Sequence, residues 1–329
     1  MSTIAIIGAG TVGIRVARQL AAVDEVDKLI LGTRHPLRIK SLSRQLLDVD
    51  VEVIAPGRLP DVDTVVLALP AGGHAKIAEE ALSQGAHVVS ISDSTSDIQE
   101  LLELNSAAEK VGKSVVVGAG FSPGLSCLIA RHATSFLDQV DEVHIARMGT
   151  GGPACQRQLH RARAKEAIDW HDGHWRKRPG GSGRELVWFP DPLGARDCYR
   201  AALADAILLV PAMPDVQRIT SRIAATRRDR LTAWLPMLRR PHVDGGPGAL
   251  RIEVRGKVGQ RYQTEVFGVI DQPSAAAACV SALAAEWVSH DNLPRGVWGL
   301  GMLDDPLPWL IELALRGVEA AIYEGVSNR

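Results

Sequence analysis

Ile4-Ala5-Ile6-Ile7-Gly8-Ala9-Gly10-Thr11-Val12-Gly13 is the stretch on which the fold turns. Four apolar residues read as a buried strand, Gly-x-Gly-x-x-Gly follows at once, and Ile14, Val16, Ala17, Leu20 and Ala21 recur at helical spacing. A second apolar run at 28–33 closes a strand–helix–strand unit of about 30 residues, the context that gives the glycine pattern meaning. The first glycine permits the tight turn, the second lets backbone amides approach a pyrophosphate, and the third lets helix and strand pack closely. The positive end of the helix then faces the anion. Gly8, Gly10, Thr11, Val12 and Gly13 are therefore expected to hold a dinucleotide, the competing reading being a nucleotide fold that has lost its ligand.

Which dinucleotide depends on the end of the second strand. An NAD site places a carboxylate there for the ribose hydroxyls, whereas an arginine accommodates a 2′-phosphate. Here the strand ends in Thr33-Arg34, with Arg38 and Lys40 close behind and no carboxylate between Lys28 and Lys40. NADP is expected over NAD, with Thr33, Arg34 and Arg38 as its contacts, unless Arg34 is a solvated loop cation.

The alternation of strand and helix continues outward. Strands are expected at 51–54, 64–69, 87–92 and 114–117, and helices at 75–84 and 96–111. Gly85 and Gly112 stand as helix stops, and Ser96-Asp97-Ile98-Gln99 as a capping box. Ala68, Leu69, Pro70 and His74 follow the fourth strand and Asp93 ends the fifth, at the carboxyl edge where open α/β sheets bind ligands. Six such strands imply a doubly wound parallel Rossmann sheet. After the sixth comes Gly118-Ala119-Gly120-Phe121-Ser122-Pro123-Gly124-Leu125, with Ser122 a candidate N-cap for a helix at 125–136.

At 329 residues the chain exceeds the size at which one core stops growing, about 250–300 residues, so two domains are expected. All 14 aromatics lie at or after Phe121, which marks a boundary near residue 120. Residues 147–261 hold 19 Arg and 3 Lys against 11 Asp and Glu, a net of +11, so with a whole-chain charge of −1 the remainder carries −12. This block suits an anionic partner, or reflects a codon bias toward Arg, which outnumbers Lys 29 to 8. A mean hydropathy of +0.03 and short apolar runs predict a soluble, cytoplasmic chain with no membrane partner. The four cysteines show no paired spacing and are expected reduced.

Several of these features together resemble the saccharopine dehydrogenase family of NADP-binding oxidoreductases. They are the glycine loop at 8–13, Thr33-Arg34, Leu69-Pro70 followed by a helix and Gly85-Ala86-His87-Val88-Val89, and Gly120-Phe121-Ser122-Pro123-Gly124-Leu125. The resemblance extends to Asp305-Pro306 and a helix closed by Arg316-Gly317-Val318. It implies hydride chemistry on C–N bonds and a C-terminal segment that returns to the nucleotide domain. The domains are therefore expected at 1–122 with 270–329, and at 123–269. In the saccharopine reductases of that family an aspartate that approaches the substrate's amino group precedes the Pro-Gly turn, and Ser122 stands there instead. A hydroxyl does not neutralise an ammonium.

The middle segment is expected to be an α+β domain with a largely antiparallel sheet. Strands are read at 140–148, 218–225, 250–258 and 261–269, the last two joined through Gly259-Gln260, and helices at 158–168, 231–238, 274–288 and 308–315. The loop 149–155 is read either as an anion nest or as a linker. The helix at 158–168 brings His160 and Arg163 to one face, His160 as a candidate proton donor and Arg161 or Arg163 as a carboxylate fork, against the alternative of a solvated surface. Cys155, His160, His171 and His174 match no zinc spacing, so no metal is expected. The basic, tryptophan-flanked segment 170–188 is read as a flap over the cofactor, not as a nucleic-acid contact.

Together these readings predict an NADPH-dependent, homodimeric oxidoreductase acting on a small-molecule substrate. His160 and Asp93 are the acid/base candidates, and Ser122, His74, Arg161 and Arg163 the substrate contacts. The alternatives are a ketone or aldehyde reductase and a non-catalytic NADP sensor.

Overall fold

In the computed structural model of the protein, residues 2–36, 46, 49–237, 240–290, 293–318 and 320–323 are described. The chain divides into two units, Met1–Gly120 with Ala277–Trp298, and Phe121–Ala276 with Gly299–Arg329.

The first unit is built on the glycine-bearing strand. β1 (Ser2–Ile7), β2 (Val26–Gly32), β3 (Asp50–Ile54), β4 (Thr64–Leu67), β5 (His87–Ser90) and β6 (Ser114–Val117) form one sheet in the order β6-β5-β4-β1-β2-β3, with every adjacent pair parallel. This is the 3-2-1-4-5-6 order of the dinucleotide-binding folds. Strands of a parallel sheet covered on both faces read as continuous apolar runs, and β4, β5 and β6 are buried at every position. Gly296–Gly299 adds a seventh strand beside β6. α1 (Thr11–Leu20) buries Gly13, Val16, Ala17 and Leu20, and α2 (His74–Ser83) ends at Gly85, which takes a φ of +78° as the expected stop.

Two expectations for residues 96–111 fail. The helix expected at 96–111 is two, α3 (Thr95–Leu102) and α4 (Asn105–Lys110). The expected capping box is absent: Ser94 is the N-cap, and its hydroxyl pairs with that of Ser96 at 2.8 Å. Asp97 is turned away to a different use, described below.

The second unit carries a nine-stranded sheet. Its strands are β7 (Gln139–Met148), β8 (Ala167–His171), β9 (His174–Arg178), β10 (Glu185–Phe189), β11 (Gly194–Arg200), β12 (Arg218–Ala224), β13 (Gly248–Val258), β14 (Arg261–Asp271) and β16 (Ala320–Tyr323), with Gly296–Gly299 of the first sheet numbered β15. Apart from the parallel pair β7/β12, its pairs are antiparallel. Its helices are α5 (Leu125–Thr134), α6 (Pro153–Ala162), α7 (Asp205–Leu209), α8 (Arg227–Leu231), α9 (Pro273–Ser289), whose later turns belong to the first unit, and α10 (Leu307–Leu315). The β13–β14 hairpin closes through Gly259-Gln260 as expected, Val258 facing Arg261.

Here the sequence misleads more often. The helix expected at 158–168 begins earlier, at Pro153 behind Gly152, and stops at Ala162. Residues 167–171 form a strand whose inward positions, Ala167 and Asp169, alternate with half-buried ones. The expected flap is two antiparallel ribbons. Asp172 and Gly173 take φ of +50° and +75°, the pair of left-handed residues that a two-residue hairpin turn requires, and they join β8 to β9. The helix expected at 231–238 is instead α8, capped by Thr226, whose hydroxyl accepts the Asp229 amide at 3.1 Å while the Asp229 carboxylate accepts the Thr226 amide at 3.0 Å. Ser122 is not an N-cap, because Gly124 holds that place. Residues 299–318 and 320–323, expected with the nucleotide domain, fall in the second unit, where β16 pairs with β14.

Candidate functional site

Parallel strands place all their carboxyl ends at one edge, and in the first unit that edge collects the glycine loop, Thr33-Arg34, Ala68-Leu69-Pro70 and Asp93. The glycines divide the work as their spacing predicts. Gly8 has φ +112°, and a Cβ there would lie 2.3 Å from the Ala68 carbonyl oxygen; a Cβ on Gly13 would lie 2.0 Å from the Gly8 carbonyl oxygen. Both positions are fixed by backbone packing within the protein. Gly10 is different: a Cβ built on it meets nothing within 4 Å. A glycine with no internal reason to be one leaves its open side to a ligand, and the first turn of α1, free of acidic residues, begins there. The residues present therefore fit the pyrophosphate of a dinucleotide.

Thr33 is half-buried and its hydroxyl accepts the His35 amide at 3.1 Å, while Arg34 is exposed beside it. Arg38 lies outside the described residues. Ala68 stays tied to β1 through its amide, 2.9 Å from the Ile7 carbonyl oxygen, before Leu69 and the exposed Pro70 leave the sheet.

His74 and Asp93 have distinct surroundings. His74 is fully buried, its Nδ1 2.9 Å from the Ser90 hydroxyl and its Nε2 3.9 Å from Asp97. Burial holds its pKa below the ordinary histidine value, partly offset by the charge of Asp97. Asp93 is half-buried in the turn after β5, where its charge acts on His74. His74 is thus enclosed in the protein's own network.

A stability prediction follows from the histidines. His144 is likewise depressed, mainly by burial, with its ring between the Thr220 hydroxyl at 2.8 Å and Glu142 at 2.9 Å. In the native state both stay neutral where the unfolded chain, with a histidine pKa near 6.5, takes up protons. Stability therefore falls as pH drops from 7 through about 6.5, by at most about 1.4 kcal/mol per pH unit for each ring. Thermal melting from pH 7.5 to 5.5 should show this decline, with a shallower slope in His74→Gln; an unaltered slope would remove His74 from the account.

In the second unit the turn after β6 is held from two sides. The Ser122 hydroxyl donates to Asp205 at 2.9 Å, the Ser126 hydroxyl donates to the same carboxylate oxygen at 2.5 Å, and Arg147 Nη1 donates to the Ser122 carbonyl oxygen at 2.5 Å. Asp205 is wholly buried and Arg147 is 2% exposed. Sequence reasoning missed Asp205. Its signal was a lone charge in the apolar run Ala201-Ala202-Leu203-Ala204-Asp205-Ala206-Ile207-Leu208-Leu209.

The remaining candidates lie apart from that turn's hydrogen bonds. His160 is buried on α6, with Nε2 2.8 Å from the Leu235 carbonyl oxygen. Arg161 is exposed, and Arg163 caps the end of α6 with Nη2 3.4 Å from the Ala224 carbonyl oxygen. Burial lowers the Arg163 pKa, opposed by Asp229 and reinforced by Arg147. Among the described residues no three metal-ligating side chains converge, and no helix is long and apolar enough to cross a membrane.

Comparison with known proteins bears on both units. Residues 3–118 match the family model described as semialdehyde dehydrogenase, NAD binding domain. Over 134 residues, 41% of this chain, the sequence is 28% identical to the NADP-dependent, L-glutamate-forming saccharopine dehydrogenase of Pyricularia oryzae. The matched stretch spans only 26% of that enzyme's length. Among solved structures, the apo L-glutamate-forming saccharopine dehydrogenase of Saccharomyces cerevisiae superposes with a TM-score of 0.73 at 14% identity, covering 98% of this chain and 100% of that one. The DAP dehydrogenase of C. glutamicum in complex with DAP gives 0.50 at 17% identity, covering 94% and 98%. At such identities the structural likenesses establish the fold, α/β with a Rossmann-like sheet and a second, mostly antiparallel one.

Proposed function

We propose that this saccharopine dehydrogenase-like chain is an NADPH-dependent oxidoreductase that moves hydride between nicotinamide and a C=N carbon of a substrate bearing an anionic group. The observation that carries the nucleotide reading is Gly10, whose missing side chain nothing inside the protein explains. Thr33 and the exposed Arg34, in a stretch 28–40 whose sequence holds no Asp or Glu, favour a 2′-phosphate over free ribose hydroxyls. The C–N chemistry rests on the likeness to the saccharopine dehydrogenases, and the anionic group on the arginine excess of residues 147–261.

The cofactor, when bound, supplies the hydride chemistry; the chain's residues bind and orient it. The α1 amides would hold the pyrophosphate and Arg34 the 2′-phosphate, while Ala68, Leu69 and Pro70 line the sheet edge. In the second unit the buried Arg147 and the half-buried Arg163 supply positive charge suited to a substrate carboxylate. His160 is buried with its Nε2 held by the Leu235 carbonyl oxygen, so we place proton delivery at Asp93 or solvent.

Two measurements test this reading. Arg34→Asp should weaken NADPH at least tenfold and lower the NADPH-to-NADH affinity ratio, and an unchanged ratio would count against NADP selection. NADPH oxidation that needs both an amine and a carbonyl compound would support imine reduction. Oxidation by the carbonyl compound alone would favour a ketone or aldehyde reductase.

A further inference from the structure

One buried carboxylate in the nucleotide unit is used by nothing in the reading above. Asp97 is 1% exposed, yet both its oxygens lie 3.0 Å from the Gly72 amide nitrogen and Oδ2 also accepts the Ser92 hydroxyl at 2.6 Å. Gly72 and Gly73 take successive φ of +108° and +82°, and no heavy atom lies within 4 Å of a Cβ on either. The loop 70–73 thus makes a left-handed excursion into open space, and the Gly72 amide is fixed by a charge from the first turn of α3. Ser92, His74 and Ser90 complete the enclosure, through hydrogen bonds from Ser92 to Asp97 and between His74 and Ser90. Charge-assisted bonds of this kind are about twice as strong as neutral ones, and a buried carboxylate that lost them would be costly.

The loop is placed to matter for the cofactor. It leaves β4 directly after Ala68, whose carbonyl oxygen packs on Gly8. In this strand order β1–β3 serve one mononucleotide half and β4–β6 the other, so the β4 exit belongs to the half opposite Arg34. We propose that Asp97 is a positioning residue for the nicotinamide half of the cofactor, acting through the Gly72 amide to hold the 70–73 loop clear of the sheet edge. This rests on the nucleotide reading above. Asp97 touches no part of the cofactor itself, and its effect is transmitted by the backbone it anchors.

The test compares two probes, NADPH and 2′-phospho-ADP-ribose, which lacks the nicotinamide, by titration calorimetry. Asp97→Ala should weaken NADPH about tenfold while the fragment changes less than twofold. Asp97→Asn, which keeps an acceptor for the Gly72 amide, should recover most of the affinity. Should Asp97→Ala fail to fold, Ser92→Ala, which loosens the same carboxylate, should weaken NADPH about threefold with the fragment unaffected. The proposal is overturned if NADPH binding to the variants matches wild type, or if the fragment weakens in parallel. Wild-type protein that binds neither NADPH nor NADH would instead overturn the nucleotide reading.

Discussion

Gly10→Ala is expected to keep the fold and lose the cofactor, whereas Gly13→Ala is expected to destabilise the fold as well. Gly10 has φ −87° and ψ −163°, an extended conformation that alanine adopts freely, and its Cβ would meet nothing. The melting temperature should therefore stay within about 2 °C of wild type. A methyl group in the approach path of a pyrophosphate should raise the NADPH dissociation constant about 100-fold, equivalent to about 2.7 kcal/mol. On Gly13 the same methyl group would lie 2.0 Å from the Gly8 carbonyl oxygen and 3.2 Å from the Ala68 side chain, so strand and helix must separate. Overpacking of backbone on backbone costs about 3 kcal/mol or more, which in a domain of this size lowers melting by about 10 °C. The two substituted sites lie three residues apart and each gains one methyl group, so the comparison isolates the ligand-facing glycine. NADPH binding by Gly10→Ala at wild-type strength would mean that no phosphate lies at this loop.

The first unit was legible because its determinants are local. Glycines at 8, 10 and 13 span the junction of a six-residue strand and a ten-residue helix, and the central strands β1 and β4 read as short apolar runs. Element ends are less legible: the fourth strand is expected to reach residue 69, but it ends at Leu67, with the Ala68 amide still bonded to the Ile7 carbonyl oxygen. The second unit resisted for two physical reasons. Charges at 158–168 recur at helical spacing although Lys165 and Glu166 lie beyond the helix, and the Asp172-Gly173 turn that splits the basic segment is a single dipeptide signal among charges that suggest one continuous loop. Ser122 and Asp205, by contrast, lie 83 residues apart, and no local pattern announces a contact made by folding. Asp97 lies inside the expected Ser96–Gln99 capping box, and its carboxylate instead accepts the amide of Gly72, 25 residues earlier.

The same contrast between local and folded-in contacts governs the largest stability effect expected in the second unit, that of Asp205. Its Oδ1 accepts two buried hydroxyls, Ser122 and Ser126, and its Oδ2 is buried without a hydrogen-bond partner among the described residues. Asp205→Ala leaves both hydroxyls without that acceptor and opens a cavity. At about 1–3 kcal/mol for each orphaned group, a total near 4 kcal/mol is expected, read as a fall in the urea midpoint. Ser122→Ala removes one donor only and should cost about 1 kcal/mol. Asp205→Asn is the informative variant, because it keeps an oxygen for the two hydroxyls and removes a charge from an apolar helix. Burying an ion is itself unfavourable, so this change should cost no more than about 1 kcal/mol if the carboxylate acts as an acceptor. An Asn variant as unstable as the Ala variant would show that the negative charge itself is needed, and Arg147, which holds the Ser122 carbonyl from the other side of the same turn, is the cation it would answer to.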